Sequence, residues 1–344
     1  MKALVLEKNK ILEYKDIAGP EKKYPNSYLV KVVASGICGS DLHRAFENGA
    51  YHYPLVMGHE FSGVIEDTIK EAKFSKGDKV VVFPLIPCKK CTSCHTGDYA
   101  QCASYDYLGS RSHGGFGQYV YVPEENLFLV PDDVDIVHAA LTEPCAVALH
   151  GVKKLKIYPG DVGVVYGAGF IGNVTAQWMK IRGTKEVIII DIDSKKLQIA
   201  ESMGLIPLNA KYKDPVKFIL AYTRGNGADF AVEACGLPLT FLQSIKSVKN
   251  FGEVLFMGNI SGTFKLKEKD FSNILRKELK IYGTWNSKIV PNGNDDWSSV
   301  LQYMDKELCV SLLISHVPNL SEGAEIFNRL YSKAEFFNRI VFKV

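Results

Sequence analysis

The chain has 344 residues, 47% of them hydrophobic, with 29 glycines and 41 basic against 38 acidic side chains, a net charge of only +3. That length exceeds the size at which one hydrophobic core stops growing, so two domains are expected, and the balanced charge argues against a phosphate-tracking nucleic-acid surface. The opening MKALVLEKNK, charged at Lys2, Glu7, Lys8 and Lys10, has no secretory hydrophobic region, which predicts a reducing, cytoplasmic setting.

Residues 1–147 hold short β-type runs such as YLVKVVASGI and KVVVFPLIP, punctuated by glycine, proline and aspartate, and predict an antiparallel β domain. Within it, CGSDLH crowds a thiol, a hydroxyl, a carboxylate and an imidazole into Cys38–His43. Next comes Gly58-His59-Glu60, an imidazole beside a carboxylate. The run Cys88, Cys91, Cys94 and Cys102 then gathers four thiols within 15 residues. Its C-x2-C turns let sulfurs converge on one ion, and its closing spacing lacks the x3-C-P of ferredoxin clusters. A closed, structural zinc knuckle is expected. Glu143-Pro144-Cys145 adds a carboxylate and a thiol, and one mixed nitrogen, oxygen and sulfur site could draw on all three clusters outside the knuckle.

The uncharged stretch Val162–Met179 contains four glycines, Asn173, Thr175 and Gln177, which argues against a membrane span. It reads as strand, turn and helix: a β-branched run, then G-x-G-x-x-G at Gly167, Gly169 and Gly172, then a helical pattern up to Gly183. Gly167 suits the tight turn, Gly169 a close approach to a pyrophosphate, and Gly172 close helix packing. The strand EVIIID follows and ends on Asp191, 24 residues after Gly167. An Asp there can bind both ribose hydroxyls and repels a 2′-phosphate, which favours NAD over NADP, with Lys195 and Lys196 acting in the opposite sense. Ser194 is the expected cap of a helix reaching Met203 and stopped by Gly204. Strands from Ala228, Gly252 and Lys280 continue the alternation, so residues 148–286 are expected to form a doubly wound parallel sheet.

The motifs GICGSDLH, YPLVMGHEFSG, the four-cysteine run and VVYGAGFIG, in this order and spacing, resemble the zinc-dependent medium-chain alcohol and polyol dehydrogenases over essentially the whole chain. The resemblance implies an α/β protein. Its GroES-like β-barrel catalytic domain would comprise residues 1–147 and 287–344, with the Rossmann domain inserted between and the active cleft between the two. It implies two zinc ions per chain, one in the knuckle and one catalytic. Cys38 and His59 would hold the catalytic zinc, with Glu60 and Glu143 competing for third ligand and Cys145 left as a buried thiol. Ser40 and His43 match the family's proton relay, Lys196 its adenosine-ribose contact, and Arg339 a pyrophosphate contact. Many relatives have glycine near position 69 where this chain has Ile69, so that loop is expected to be reshaped.

The reaction so implied is loss of a proton from a secondary alcohol and transfer of hydride to nicotinamide, giving a ketone and NADH. RAFENGAYHYP and YDYLGSR look most like bacterial hexitol-phosphate dehydrogenases, which implies a substrate such as galactitol 1-phosphate, with Arg111 as candidate phosphate ligand and His113 or Lys288 as alternatives. A free polyol of the sorbitol or L-iditol type, or ribitol 5-phosphate, is the alternative substrate. A non-catalytic binding protein keeping the fold is argued against by the intact Cys38, Ser40, His59 and Glu143. No nucleic-acid or membrane partner is expected, and a homo-oligomer, dimer or tetramer, is.

Overall fold

The computed structural model describes residues 1–67, 73–289 and 295–344; the expectation for the Ile69 loop lies outside them. Two compact units result. One comprises Met1–Pro144, Lys288–Lys306 and Val310–Val344, the other Cys145–Ser287 and Glu307–Cys309. The expected divisions, 147/148 and 286/287, give everything from 287 onward to the first unit. The structure instead puts Glu307–Cys309 in the second, where the Gln177 amide donates to Cys309 O (3.0 Å) and accepts from Cys309 N (2.8 Å).

The first unit is built around strand Ser27–Gly36. Tyr28, Val30, Val32 and Ala34 alternate into the core while Lys31 faces out, the period of two that a half-buried strand requires. The strand pairs antiparallel with Glu60–Asp67, Tyr119–Pro123 and Arg339–Lys343. Glu60–Asp67 passes the sheet on to Lys79–Val82 and then Leu127–Leu129. Among the described residues the strand ladders within 1–147 are antiparallel, as expected there, whereas in the C-terminal segment Ile314–His316 runs parallel to Arg339–Lys343. Parallel neighbours need a crossover, and helix Gly323–Tyr331 supplies it. Leu4, Phe116, Phe327 and Phe342 share one core cluster, and Tyr28, Phe61, Phe74 and Val82 another.

The second unit is a six-stranded sheet in the order Ile206–Asn209, Glu186–Asp191, Val162–Tyr166, Ala228–Glu233, Val248–Phe256, Lys280–Gly283. Every adjacent pair is parallel. Helices cover both faces, so its central strands are continuous apolar runs. The order reverses between Val162–Tyr166 and Ala228–Glu233, and in such sheets ligands lie beyond the strand ends at that point. In helix Phe170–Ile181 the buried Asn173 uses its Nδ2 to donate to Ala168 O at 2.6 Å and to Gly169 O at 3.1 Å. Among the described residues no helix is long and apolar enough to cross a membrane.

One local expectation needs correcting. The helix expected from Ser194 to Met203 spans Ser194–Ser202, and its cap is Asp193, whose carboxylate accepts from Lys195 N and Lys196 N. Asp and Ser are both strong caps, and the carboxylate one residue earlier reaches the free N–H groups first. The expected fold class holds: a β unit completed by the C-terminal strand, and a doubly wound α/β unit.

Phe342 is fully buried with its ring edge-on to Phe116 at 5.4 Å. Phe342→Ala is expected to destabilise the first unit by about 3–5 kcal/mol in urea unfolding. A loss below about 1 kcal/mol would mean that the C-terminal strand contributes little to this core.

Candidate functional site

The knuckle sulfurs converge. Ligand atoms of Cys88, Cys91, Cys94 and Cys102 all lie within 4.8 Å of one another. The Cys91–Cys94 separation is 3.5 Å, and those of Cys88–Cys94 and Cys91–Cys102 are 3.9 Å. A tetrahedral zinc with bonds of about 2.3 Å sets its sulfurs about 3.8 Å apart. A disulfide would need about 2.05 Å, and all eight cysteines are free. Local backbone makes the turn: Lys89 takes a left-handed φ of 59°, and Cys91 caps the short helix Thr92–His95. The N–H of Lys90 is the main influence holding the Cys88 thiol down at about 6, and the N–H groups of Ala103 and Cys94 lower Cys91. Burial pushes Cys94 up to about 12. The backbone thus favours thiolates at Cys88 and Cys91, and a bound dication would offset the burial of Cys94. This donor set fits zinc.

A second cluster, Cys38, His59 and Glu60, likewise has its ligand atoms within 4.8 Å. Cys38 precedes helix Gly39–Phe46, and its N–H donates to Asp41 Oδ2 (3.1 Å). Asp41 is wholly buried; its Oδ1 accepts from Arg44 Nη1 (2.9 Å) and lies 3.4 Å from His59 Nδ1. Burial works against its charge, but His59 and Arg44 outweigh that and keep Asp41 below its ordinary value. Burial alone would lower His59, yet Asp41 and Cys38 hold it well above the usual imidazole range. His59 Nδ1 faces the Asp41 carboxylate without a hydrogen bond between them; closing that short gap would give the support usual for a metal-binding histidine, with Nε2 toward the metal.

Glu60 is fully buried and accepts from Arg339 Nη1 at 3.0 Å (Oε1) and 2.9 Å (Oε2). The same Nη1 donates to Ile37 O at 2.6 Å. Gly36, opposite Glu60 in the ladder, leaves the space for this pair, since a Cβ there would overlap Glu60 Oε2. Arg339, expected against a pyrophosphate, is 6% exposed and directs this nitrogen to Glu60. Glu143 stands outside the three-ligand group. Burial raises its carboxyl to about 7, with His59 opposing and Glu60 adding to the shift, and Tyr107 OH donates to its Oε1 (3.2 Å). Ser40 and His43 are exposed on the helix after Cys38, and His43 Nδ1 lies 2.6 Å from Glu47 Oε2. Asp41, Arg44 and Tyr107 are participants that the sequence reading misses. Asp41 lies inside CGSDLH, where its position three residues after Cys38 is the signal that could have found it.

In the second unit, Gly167 has φ of +107°. An added Cβ at Gly172 would overlap Gly167 O, whereas one at Gly169 would meet nothing, so the N-terminus of helix Phe170–Ile181 is open. Asp191 ends strand Glu186–Asp191; its carboxylate accepts from Ala168 N (2.8 Å), Ile192 N (2.7 Å) and Asp193 N (2.9 Å). Acid and glycine turn are thereby locked together. Lys196 lies in the first turn of the next helix. Elsewhere, Cys145 is fully buried, Lys288 Nζ is 2.7 Å from Asp98, and His113 Nδ1 accepts from Val56 N (3.1 Å). Arg111 lies against the rings of Tyr105 and Tyr51.

Residues 24–132 match the family described as alcohol dehydrogenase GroES-like domain, and residues 171–306 the family described as zinc-binding dehydrogenase. Galactitol 1-phosphate 5-dehydrogenase of Escherichia coli K12 is 34% identical over 321 residues, 92% of each chain. Sorbitol dehydrogenase of Bacillus subtilis is 30% identical over 265 residues, 75% of each. The crystal structure of galactitol-1-phosphate dehydrogenase from Escherichia coli superposes with a TM-score of 0.92 at 31% identity, covering both chains completely. A closed four-thiol knuckle, a mixed thiol–imidazole–carboxylate cluster and a Rossmann sheet thus coincide with similarity along nearly the whole sequence, and the chain belongs to the zinc-dependent medium-chain alcohol and polyol dehydrogenases, oxidoreductases acting on alcohols.

Proposed function

We propose that the protein oxidises a secondary alcohol of a polyol phosphate, a hexitol phosphate such as galactitol 1-phosphate, to the ketose phosphate, with NAD as acceptor and two zinc ions per chain. The observation that carries the chemistry is the cluster of Cys38, His59 and Glu60, and likeness to the Escherichia coli hexitol-phosphate enzyme supports the substrate. When bound, zinc at this cluster would polarise the substrate hydroxyl, and the nicotinamide would accept hydride.

The chain's own residues do the rest. Cys38 and His59 would be the fixed ligands, with the Asp41 carboxylate facing His59 Nδ1 at 3.4 Å. Glu60, the third member of the cluster, is restrained by Arg339, which we assign to positioning this carboxylate. Glu143, with a carboxyl near 7 and Tyr107 on its Oε1, is the neighbouring acid that can take or release a proton. Ser40 would accept the alcohol proton and His43 pass it outward, its ring steadied by Glu47. Gly167, Gly169 and Gly172 would leave the helix N-terminus open to the cofactor pyrophosphate, Asp191 would take the ribose hydroxyls, and Lys196 would lie beside them. A cytoplasmic location fits eight free thiols. A homo-oligomer fits the exposed Phe271, Leu275, Ile281 and Trp285 of the second unit.

Metal analysis of purified protein is expected to give two zinc ions per chain, one being lost in Cys88→Ser together with stability. A mild chelator should abolish activity before it unfolds the protein. Iron with sulfide, or an unchanged zinc content in Cys88→Ser, would contradict the two-site assignment.

Asp191→Ser should lower kcat/KM for NAD about 10- to 150-fold, the value of a lost charge-assisted contact, and raise the NADP/NAD ratio. A ratio equal to wild type would take Asp191 off the ribose.

Galactitol 1-phosphate should be oxidised with at least about 10-fold higher kcat/KM than galactitol, because a phosphate grip adds a charged hydrogen bond that the free polyol cannot make. Equal efficiency would remove the phosphate from the function and leave the free-polyol alternative.

A further inference from the structure

The Arg111 guanidinium carbon lies 4.3 Å from the centre of the Tyr105 ring and 4.9 Å from that of Tyr51. The two rings come from separate segments of the first unit. Its polar contact is one long bond, Nη1 to Tyr105 O at 3.4 Å, and among the described residues no carboxylate pairs with it. Ring contacts engage the face of a guanidinium, whereas its five N–H donors point outward in the plane, so packing against tyrosines leaves the fork available. Three other cations of this unit are engaged: Arg44 with Asp41, Arg339 with Glu60, and Lys288 with Asp98. His113 accepts a backbone N–H through Nδ1.

The place of this cation is as informative as its freedom. Tyr105 meets Tyr107 ring to ring at 6.2 Å, and Tyr107 meets His59 at 5.8 Å while donating to Glu143. A short relay of aromatic contacts therefore runs from the candidate metal cluster to the guanidinium. Tyr51, although 71% exposed, keeps its ring at the cation.

We propose that Arg111 binds the phosphate of the substrate through its fork, and that Tyr105 and Tyr51 are positioning residues that hold the guanidinium flat and aimed before substrate arrives. The assignment rests on the polyol-phosphate reading. A planar, weakly hydrated cation fixed in advance gives two parallel N–H···O bonds to a phosphate with little ordering left to do, which a mobile lysine cannot match.

The test compares galactitol 1-phosphate with galactitol, and adds inorganic phosphate as competitive inhibitor, in wild type, Arg111→Ala, Arg111→Lys, Tyr105→Phe and Tyr105→Leu. Arg111→Ala is expected to raise KM for galactitol 1-phosphate about 10- to 150-fold, more than it changes kcat, and to weaken inhibition by phosphate in parallel. Arg111→Lys should fall between it and wild type. Tyr105→Phe, which keeps the ring, should behave as wild type, and Tyr105→Leu should raise KM. If wild type prefers the phosphorylated substrate and Arg111→Ala keeps the same ratio between the two substrates, the clamp is overturned while the substrate reading stands. Equal effects of Tyr105→Phe and Tyr105→Leu would overturn the positioning role. Absence of any preference in wild type would overturn the substrate reading itself.

Discussion

A carboxylate that never meets water organises the catalytic unit. Glu60 is fully buried on strand Glu60–Asp67, next to the central strand, and is tolerable there because Arg339 answers it from Arg339–Lys343 and Gly36 leaves room between them. Removing one partner of such a pair typically costs about 3–5 kcal/mol, because the other charge is stranded. Three adjacent strands must therefore hold their register for the site to exist. A one-residue slip would turn Glu60 or Gly36 to the other face of the sheet.

The two metal clusters solve different problems by different means. The knuckle is made by a left-handed residue, a four-residue helix and the small hairpin Leu85–Ile86 with Asp106–Tyr107, all close in sequence. Its four sulfurs complete a shell. The Cys38–His59–Glu60 cluster comes from a helix start and a strand start; of its orienting groups, Asp41 lies on that same helix and Arg339 on the C-terminal strand. Three candidate ligands with a separate set of supports would leave one coordination position open on a bound metal.

This contrast explains what could be read without coordinates. The knuckle, the glycine turn and the parallel strands are local patterns, in which residue type and spacing already fix geometry, and the sequence identified them. The pairing of Arg339 with Glu60 was not legible because the two lie 279 residues apart, a relation that no spacing rule encodes. Asp41 was visible as a carboxylate but not as the support of His59, since which acid faces an imidazole depends on how Gly39–Phe46 packs. The same holds for Tyr107 and Glu143. At Asp193 and Ser194 two good capping residues stand side by side, and only the path of the chain decides between them.

The long separation of Glu60 from Arg339 also orders events in time. Translation at about 5–20 residues per second puts roughly 15–60 s between the appearance of the two. Once Cys102 has been made, early in that interval, all four knuckle thiols are present, whereas Glu60 has no guanidinium to face and stays costly to bury. The local knuckle can therefore assemble before the buried Glu60–Arg339 pair, which has to wait for the C-terminal strand.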